Sequence, residues 1–153
     1  RDERGIPHLE AVYEHWRSRG DKQSEDQFSD GTLRLIAFLW SILDGDSLLL
    51  LEEPELSLHS GIVTKLPGLI WRIQNKKKKQ VLISTHSADL LTDKGIGGEE
   101  VLLLIPESEG TKVHLALSVG DIKSLLETGL SVADAVLPRT EPKNIMQLSL
   151  FDE

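Results

Sequence analysis

Apolar positions in this chain fall into two kinds of run, periodic and continuous, and together they predict an architecture. In IPHLEAVYEHWRSRG, Leu9, Val12, Tyr13 and Trp16 recur at helical spacing before Gly20, so a first amphipathic helix is expected. After the polar loop DKQSEDQ, the segment SDGTLRLIAFLWSILDGD opens on cap-forming residues. It stays apolar almost all round, through Leu33, Leu35, Ile36, Phe38, Leu39, Trp40, Ile42 and Leu43, as a helix buried between layers would, until Asp44 and Gly45 end it. SLLLLE is short, bounded by a turn and apolar on both faces, which predicts a central strand of a parallel sheet. GIVTKLPGLIWRIQN repeats Ile62, Val63, Leu66, Leu69, Ile70 and Ile73 as a helix disturbed near Pro67 and Gly68, and KQVLISTHS is a second buried strand. VLLLIPESEGTKVHLAL predicts two strands joined by a tight turn containing Gly110. DIKSLLETG and VADAVL then predict short helices, and from Pro138 onward the pattern dissolves. Strand, helix, strand with crossovers of this length predicts an α/β layered sheet with flanking helices, whose ligands sit beyond the carboxyl ends of its strands. Residues 1–137 are expected to form one lobe and residues 138–153 a flexible tail.

Composition narrows the classes. With 153 residues, 39% hydrophobic and only 5% aromatic, the chain matches one domain with an aliphatic core. Its 25 acidic against 17 basic side chains give a net charge of -8, so any contact with a polyanion must be local. Cysteine is absent, as are a charged-then-apolar leader and an apolar run near the ~20 residues of a membrane span. Disulfide and thiol chemistry are thereby excluded, and a cytoplasmic protein with no membrane partner is expected. The opening RDERGIPHLE has no methionine, which suggests a fragment, a processed chain or a trimmed one, so the start is treated as arbitrary.

LLLLEEPELSLH, from Leu48 to His59, ends a fully apolar run on two carboxylates. In a parallel sheet this puts Glu52 and Glu53 at the carboxyl edge. There one carboxylate can hold a magnesium ion, usually through water, while its neighbour, facing the other way, orients an attacking water as general base. Taken alone, the pair also suits a strand that ends in solvent beside lysines. Upstream, Ser29, Asp30 and Gly31 precede a helix whose free N–H groups and dipole offer a phosphate cradle or, more plainly, a helix cap. Downstream, VLISTHSADLL puts His86 just past the second strand, as a ligand-facing residue or an ordinary loop histidine.

The order and spacing of these three segments resemble the ABC-type ATPases of the chromosome-maintenance and RecF-like group, with their overcoming-lysogenization-defect relatives. SDGT resembles the signature motif, LLLLEEPE the Walker B strand with its catalytic glutamate, LSLH the D-loop, and STHS the switch-histidine loop. The match runs from Ser29 to about Ser87, well over a third of the chain. The resemblance implies the C-terminal half of a P-loop NTPase-like head that uses ATP and Mg2+. By it, Glu52 is the magnesium-side carboxylate, Glu53 the catalytic base and His86 the γ-phosphate contact. Ser29 and the Gly31 backbone would bind nucleotide held by a partner subunit, and Ser57 and His59 would line the dimer interface.

Three departures qualify this resemblance. Glu52 stands where most of the superfamily has aspartate, and Asp30 replaces a signature glycine, putting negative charge near an anion site. No GxxxxGK(S/T) loop occurs, and GIGGEE, Gly95 to Glu100, has no lysine to serve as one. The phosphate loop is therefore expected on an N-terminal lobe, as in members of this group whose heads are split by an insertion, and two complete heads would close head to tail.

The tail LPRTEPKNIMQLSLFDE ends on Gln147, Leu148, Ser149, Leu150 and Phe151, which resemble the peptide that docks bacterial repair and replication proteins on the polymerase sliding clamp. An amide would fix an extended peptide while the leucines and phenylalanine fill an apolar pocket; the alternative is that these apolar residues fold back onto the domain. Lys76 to Lys79 follow a helix expected to end near Asn75, where they complement its dipole or touch DNA backbone. The sequence thus leads to an ATPase half-head of DNA repair or chromosome maintenance. Two other readings stay open: a non-hydrolysing adaptor that presents the clamp-binding tail, and an ATPase of a phage-defence system.

Overall fold

A computed structural model of the protein describes residues 3–12 and 22–141. The first expected helix is replaced by a strand, β1 (Glu10–Val12), paired antiparallel with β2 (Lys22–Ser24). The Glu25 carboxylate explains the change. It accepts the Leu9 N–H at 2.9 Å and lies 2.7 Å from His8 Nδ1, so the backbone of this segment is tied sideways instead of into a helical turn. Those two contacts hold the Glu25 carboxyl below its ordinary range. Tyr13 and Trp16 lie outside the described residues.

Helix α1 (Asp30–Leu43) begins where Ser29 accepts the Thr32 N–H at 3.2 Å and ends before Gly45, whose φ of +61° only glycine adopts without strain. It is not enclosed all round. Phe38 and Ile42 are buried, but Trp40 is 71% and Leu43 56% exposed. Strand β3 (Leu49–Glu52) then pairs parallel with β4 (Val81–Ser84), and the crossover carries α2 (Ser60–Val63) and α3 (Leu66–Lys77). The expected disturbance near Pro67 falls just before it, where Thr64 and Lys65 separate α2 from α3, and Pro67 itself sits in the first turn of α3, where its missing N–H has no helical partner to lose. After α4 (Ala88–Leu91), β5 (Leu102–Glu107) and β6 (Gly110–Leu115) form an antiparallel hairpin, followed by α5 (Gly120–Glu127) and α6 (Val132–Thr140). Helix α6 starts on a reciprocal Ser131–Asp134 cap and continues through Pro138 to Thr140, taking in the first three residues of the expected tail.

The core is built from Phe38, Ile42, Leu66, Ile70, Leu90, Leu103, Ile122 and the Val132–Val136 face of α6. Among the described residues, however, the strands form three separate two-stranded sheets and not one layered sheet. Leu49, Leu51, Val81 and Ile83 pack toward the core, whereas Leu50 and Leu82 on the other face are 68% and 45% exposed.

The lysine run also differs from expectation. Helix α3 reaches Lys77, and Lys78 ends it in the left-handed region at φ +56°. The Lys77 ammonium donates to the Leu43 carbonyl, and Lys79, only 5% exposed, donates to Ser41 O at 2.8 Å and Asp44 O at 2.6 Å. Two of the four lysines therefore neutralise the carboxyl end of α1, a different helix from the one they follow.

Candidate functional site

Parallel pairing of β3 with β4 brings two loops to one edge. Register is tight: Leu49 N donates to Gln80 O at 3.0 Å, and past the last residue of β3 Glu53 N still donates to Ser84 O at 2.9 Å. There the chain turns, with Glu53 at φ +40° and Ser57 at φ +64°, conformations that cost non-glycine residues of order 1 kcal/mol or more. The turn is held by Leu56 N to Glu53 O at 3.1 Å and Leu58 N to Glu55 O at 3.0 Å. Leaving the strand in this way separates Glu53 from Glu52. Glu52 stays on the exposed face of β3, while the half-buried Glu53 meets the loop after β4.

That meeting is direct: His86 Nδ1 lies 2.6 Å from Glu53 Oε1. With Nδ1 donating to the carboxylate, Nε2 is left as the ring's second polar position, on a side chain that is 73% exposed. A carboxylate and an imidazole joined in this geometry at the carboxyl edge of a parallel pair can orient a nucleophilic water and contact an anion.

Ser29 and Gly31 approach from α1. The Ser29 hydroxyl both caps Thr32 N and lies 2.9 Å from Thr32 Oγ1, so the cap function is realised at the amino end of a fourteen-residue helix. Gly31 abuts the acidic loop, for a β-carbon there would collide with the Ser57 carbonyl oxygen and touch Leu58. The serine–glycine turn and the Glu53–Ser57 loop are thus one contiguous surface. His59 caps α2 through Gly61 N to His59 Nδ1 at 3.1 Å, and it is exposed, as is Ser57. Gln147, Leu148, Ser149, Leu150 and Phe151 lie outside the described residues.

Sequence reasoning passed over Glu55 and Thr85. Glu55 is 8% exposed; its Oε1 accepts the Thr85 hydroxyl, and Thr85 Oγ1 in turn accepts the Ser87 N–H at 3.0 Å. This chain of bonds ties the acidic loop to the loop carrying His86. Glu55 Oε2 is buried and has no hydrogen-bond partner among the described residues. The one local signal is a third carboxylate, between Pro54 and Leu56, two residues past the Glu52–Glu53 pair.

For a cation, the donor set is sparse. Among the described residues no three acidic, histidine or cysteine side chains converge. Glu52 offers one exposed carboxylate at this edge, and a magnesium ion held there would take the rest of its six ligands from phosphate and water oxygens. No helix among the described residues is long and apolar enough to cross a membrane.

Residues 1–93 match the family model described as an AAA domain, AbiEii toxin, Type IV TA system. Among curated proteins and among solved structures, nothing matches the chain significantly. The matched span contains every candidate residue of the β3–β4 edge and α1.

Proposed function

Because the chain belongs to the AAA-domain family described by the AbiEii toxin of a Type IV TA system, and so to the P-loop ATPases, we propose that it is the half of an ATP-hydrolysing head that supplies the catalytic edge. The observation that carries this reading is the 2.6 Å contact between Glu53 and His86 at the ends of parallel strands. Glu53 orients the attacking water, and the His86 imidazole, its Nδ1 held by Glu53, presents Nε2 to the γ-phosphate. Glu52 takes the magnesium side. Bound Mg2+ supplies charge neutralisation of the phosphates; the protein groups orient and hold.

Catalysis requires a phosphate loop that this sequence lacks, so the partner is an N-terminal lobe carrying that loop, as in ABC-type heads of the chromosome-maintenance and RecF-like kind. Complete heads dimerise head to tail, with Ser29 and Gly31 facing the nucleotide of the opposite head and Ser57 and His59 at the seam. In a head assembled from both lobes, Glu53→Gln lowers kcat by about 10²–10⁴-fold and accumulates an ATP-bound dimer, measured by single-turnover hydrolysis and gel filtration. Unchanged turnover removes Glu53 from the role of base.

The task is DNA repair or chromosome maintenance, and Gln147 to Phe151 dock on a sliding clamp. Calorimetry with and without Gln147 to Glu153 tests that docking, and equal heats end it. The toxin–antitoxin system in the family's description favours one other reading, in which the same ATPase serves a defence system.

A further inference from the structure

Charge is distributed unevenly along this acidic chain. Between Leu56 and Ala88 it carries Lys65, Arg72 and Lys76 to Lys79 and no aspartate or glutamate, although the whole chain has 25 acidic side chains against 17 basic ones and a net charge of -8. The fold gathers this segment into the crossover between β3 and β4, with α3 as its longest element. Lys77 and Lys79 are engaged by the carbonyls at the end of α1. Lys65, Arg72, Lys76 and Lys78 are exposed, and none of the four has an ion-pair partner among the described residues. Elsewhere Lys22, Lys112, Lys123 and Arg139 each meet a carboxylate, of Glu10, Glu107, Glu127 and Asp121.

Helical spacing puts three of these free cations in one line. At about 100° per residue, Lys65, Arg72 and Lys76 fall within about 40° of one another on α3, turned away from the buried Leu66 and Ile70. At about 1.5 Å per residue the line extends roughly 16 Å, with Lys78 just past its end. Arg72 Nε donates to the Gly68 carbonyl at 3.0 Å, which lays the guanidinium along the helix and leaves its two terminal nitrogens for a ligand. Lys78 stands at the left-handed position that ends α3, at φ +56°, where glycine is the unstrained residue. A lysine there costs the fold some stability and adds a fourth free cation.

We propose that this stripe, Lys65, Arg72, Lys76 and Lys78, is a docking surface for duplex DNA, held through its phosphates. Cations spaced along one line match a polyanion better than a single anion. The stripe holds no aromatic ring on which the bases of a single strand could stack, since Trp71 belongs to the cavity it shares with Val81 and Ile83. It offers ammonium and guanidinium groups alone, without the polar set that reads the 2′-hydroxyls of RNA. The net charge of -8 repels DNA from the rest of the surface, so the contact is local. Lys76 and Lys78 lie near the start of β4, at the opposite end of the parallel pair from Glu53 and His86, so the stripe and the catalytic edge are separate. Such docking needs no nucleotide and does not depend on the ATPase reading above.

Fluorescence anisotropy of a labelled mixed-sequence duplex, titrated with the full 153-residue chain, tests this. Four phosphate contacts predict about a hundredfold loss of affinity between about 50 and 200 mM salt. Arg72→Gln and Lys76→Gln should each weaken binding several-fold at the lower salt and flatten the salt dependence by about one phosphate. Lys112→Gln, which removes the same charge from β6, should leave both unchanged. Lys78→Gly separates binding from folding: affinity should fall while the thermal midpoint holds or rises, since glycine relieves the left-handed backbone. Absence of binding at the lower salt, affinity untouched by the stripe variants, or an equal loss with Lys112→Gln overturns the proposal. So does tighter binding of a single strand or of duplex RNA of the same length. Self-association of the free chain that Lys76→Gln abolishes also overturns it, by assigning the stripe to the acidic surface of a second copy. Glu53→Gln should bind the duplex as the parent does, so failure here leaves the catalytic edge standing, and unchanged turnover in Glu53→Gln leaves the stripe standing.

Discussion

Glu53 and His86 were legible in the sequence because each ends an apolar run, and a parallel sheet sends such ends to one edge. Glu55 was not, because its burial is decided by Thr85, thirty residues away, and by no local pattern. The Glu55–Thr85–Ser87 chain predicts a graded response. Glu55→Ala removes the acceptor of a buried hydroxyl and should cost about 1–3 kcal/mol, read by urea unfolding. Glu55→Gln keeps a carbonyl oxygen in place and should recover most of that loss. Because Glu55 acts through Thr85 on the loop that presents His86, the alanine variant should also shift the His86 imidazole NMR signals while the glutamine variant leaves them close to the parent's. Equal His86 spectra in parent and alanine variant would reduce Glu55 to a packing residue.

Among the elements, helical periods were read with the right type and near-right bounds at α1, α3, α5 and α6, because amphipathic spacing is a local property. The first helix failed because the strand pairing of Glu10–Val12 with Lys22–Ser24 and the Glu25–Leu9 bond are non-local. Four consecutive lysines were read as the end of one helix, yet Lys79 is buried against the carbonyls of another. A buried ammonium is tolerated only where acceptors surround it, and here the free carbonyls at the end of α1 do so. Lys79→Met should therefore destabilise the chain by about 2–3 kcal/mol, leaving those carbonyls unpaired, whereas Lys76→Met should change stability by less than about 0.5 kcal/mol. Thermal unfolding of the two variants side by side checks this. Equal losses would mean that the run acts as a diffuse charge and not through the bonds of Lys79.

Across the whole molecule, SLLLLE and VLIS read as strands buried on both faces, yet in this chain Leu50 and Leu82 are exposed. The succession of strand, helix and strand predicts a single layered sheet, and the described residues supply only β3 and β4 as its parallel part. The pattern records burial that this chain does not itself provide, which is how a sequence adapted to an assembled head would differ from one adapted to a free domain. Tryptophan reports this mismatch at the scale of the molecule. Trp40, on the outer face of α1, is 71% exposed, and Trp71, at the cavity on the α3 side of β4, is 63% exposed. With Trp16→Phe removing the third indole, the free chain should emit as a solvated tryptophan and be quenched readily by acrylamide. Apolar surface stays open beside Trp71, in the cavity it shares with Ile70, Val81 and Ile83, so a phosphate-loop lobe that covers the β3–β4 side should protect Trp71 and leave Trp40 open to quencher. Comparing Trp40→Phe with Trp71→Phe in that background assigns the protected indole. If the lobe instead shields Trp40 and leaves Trp71 open, the second half of the head docks on α1, and the exposed leucines of β3 and β4 face something else.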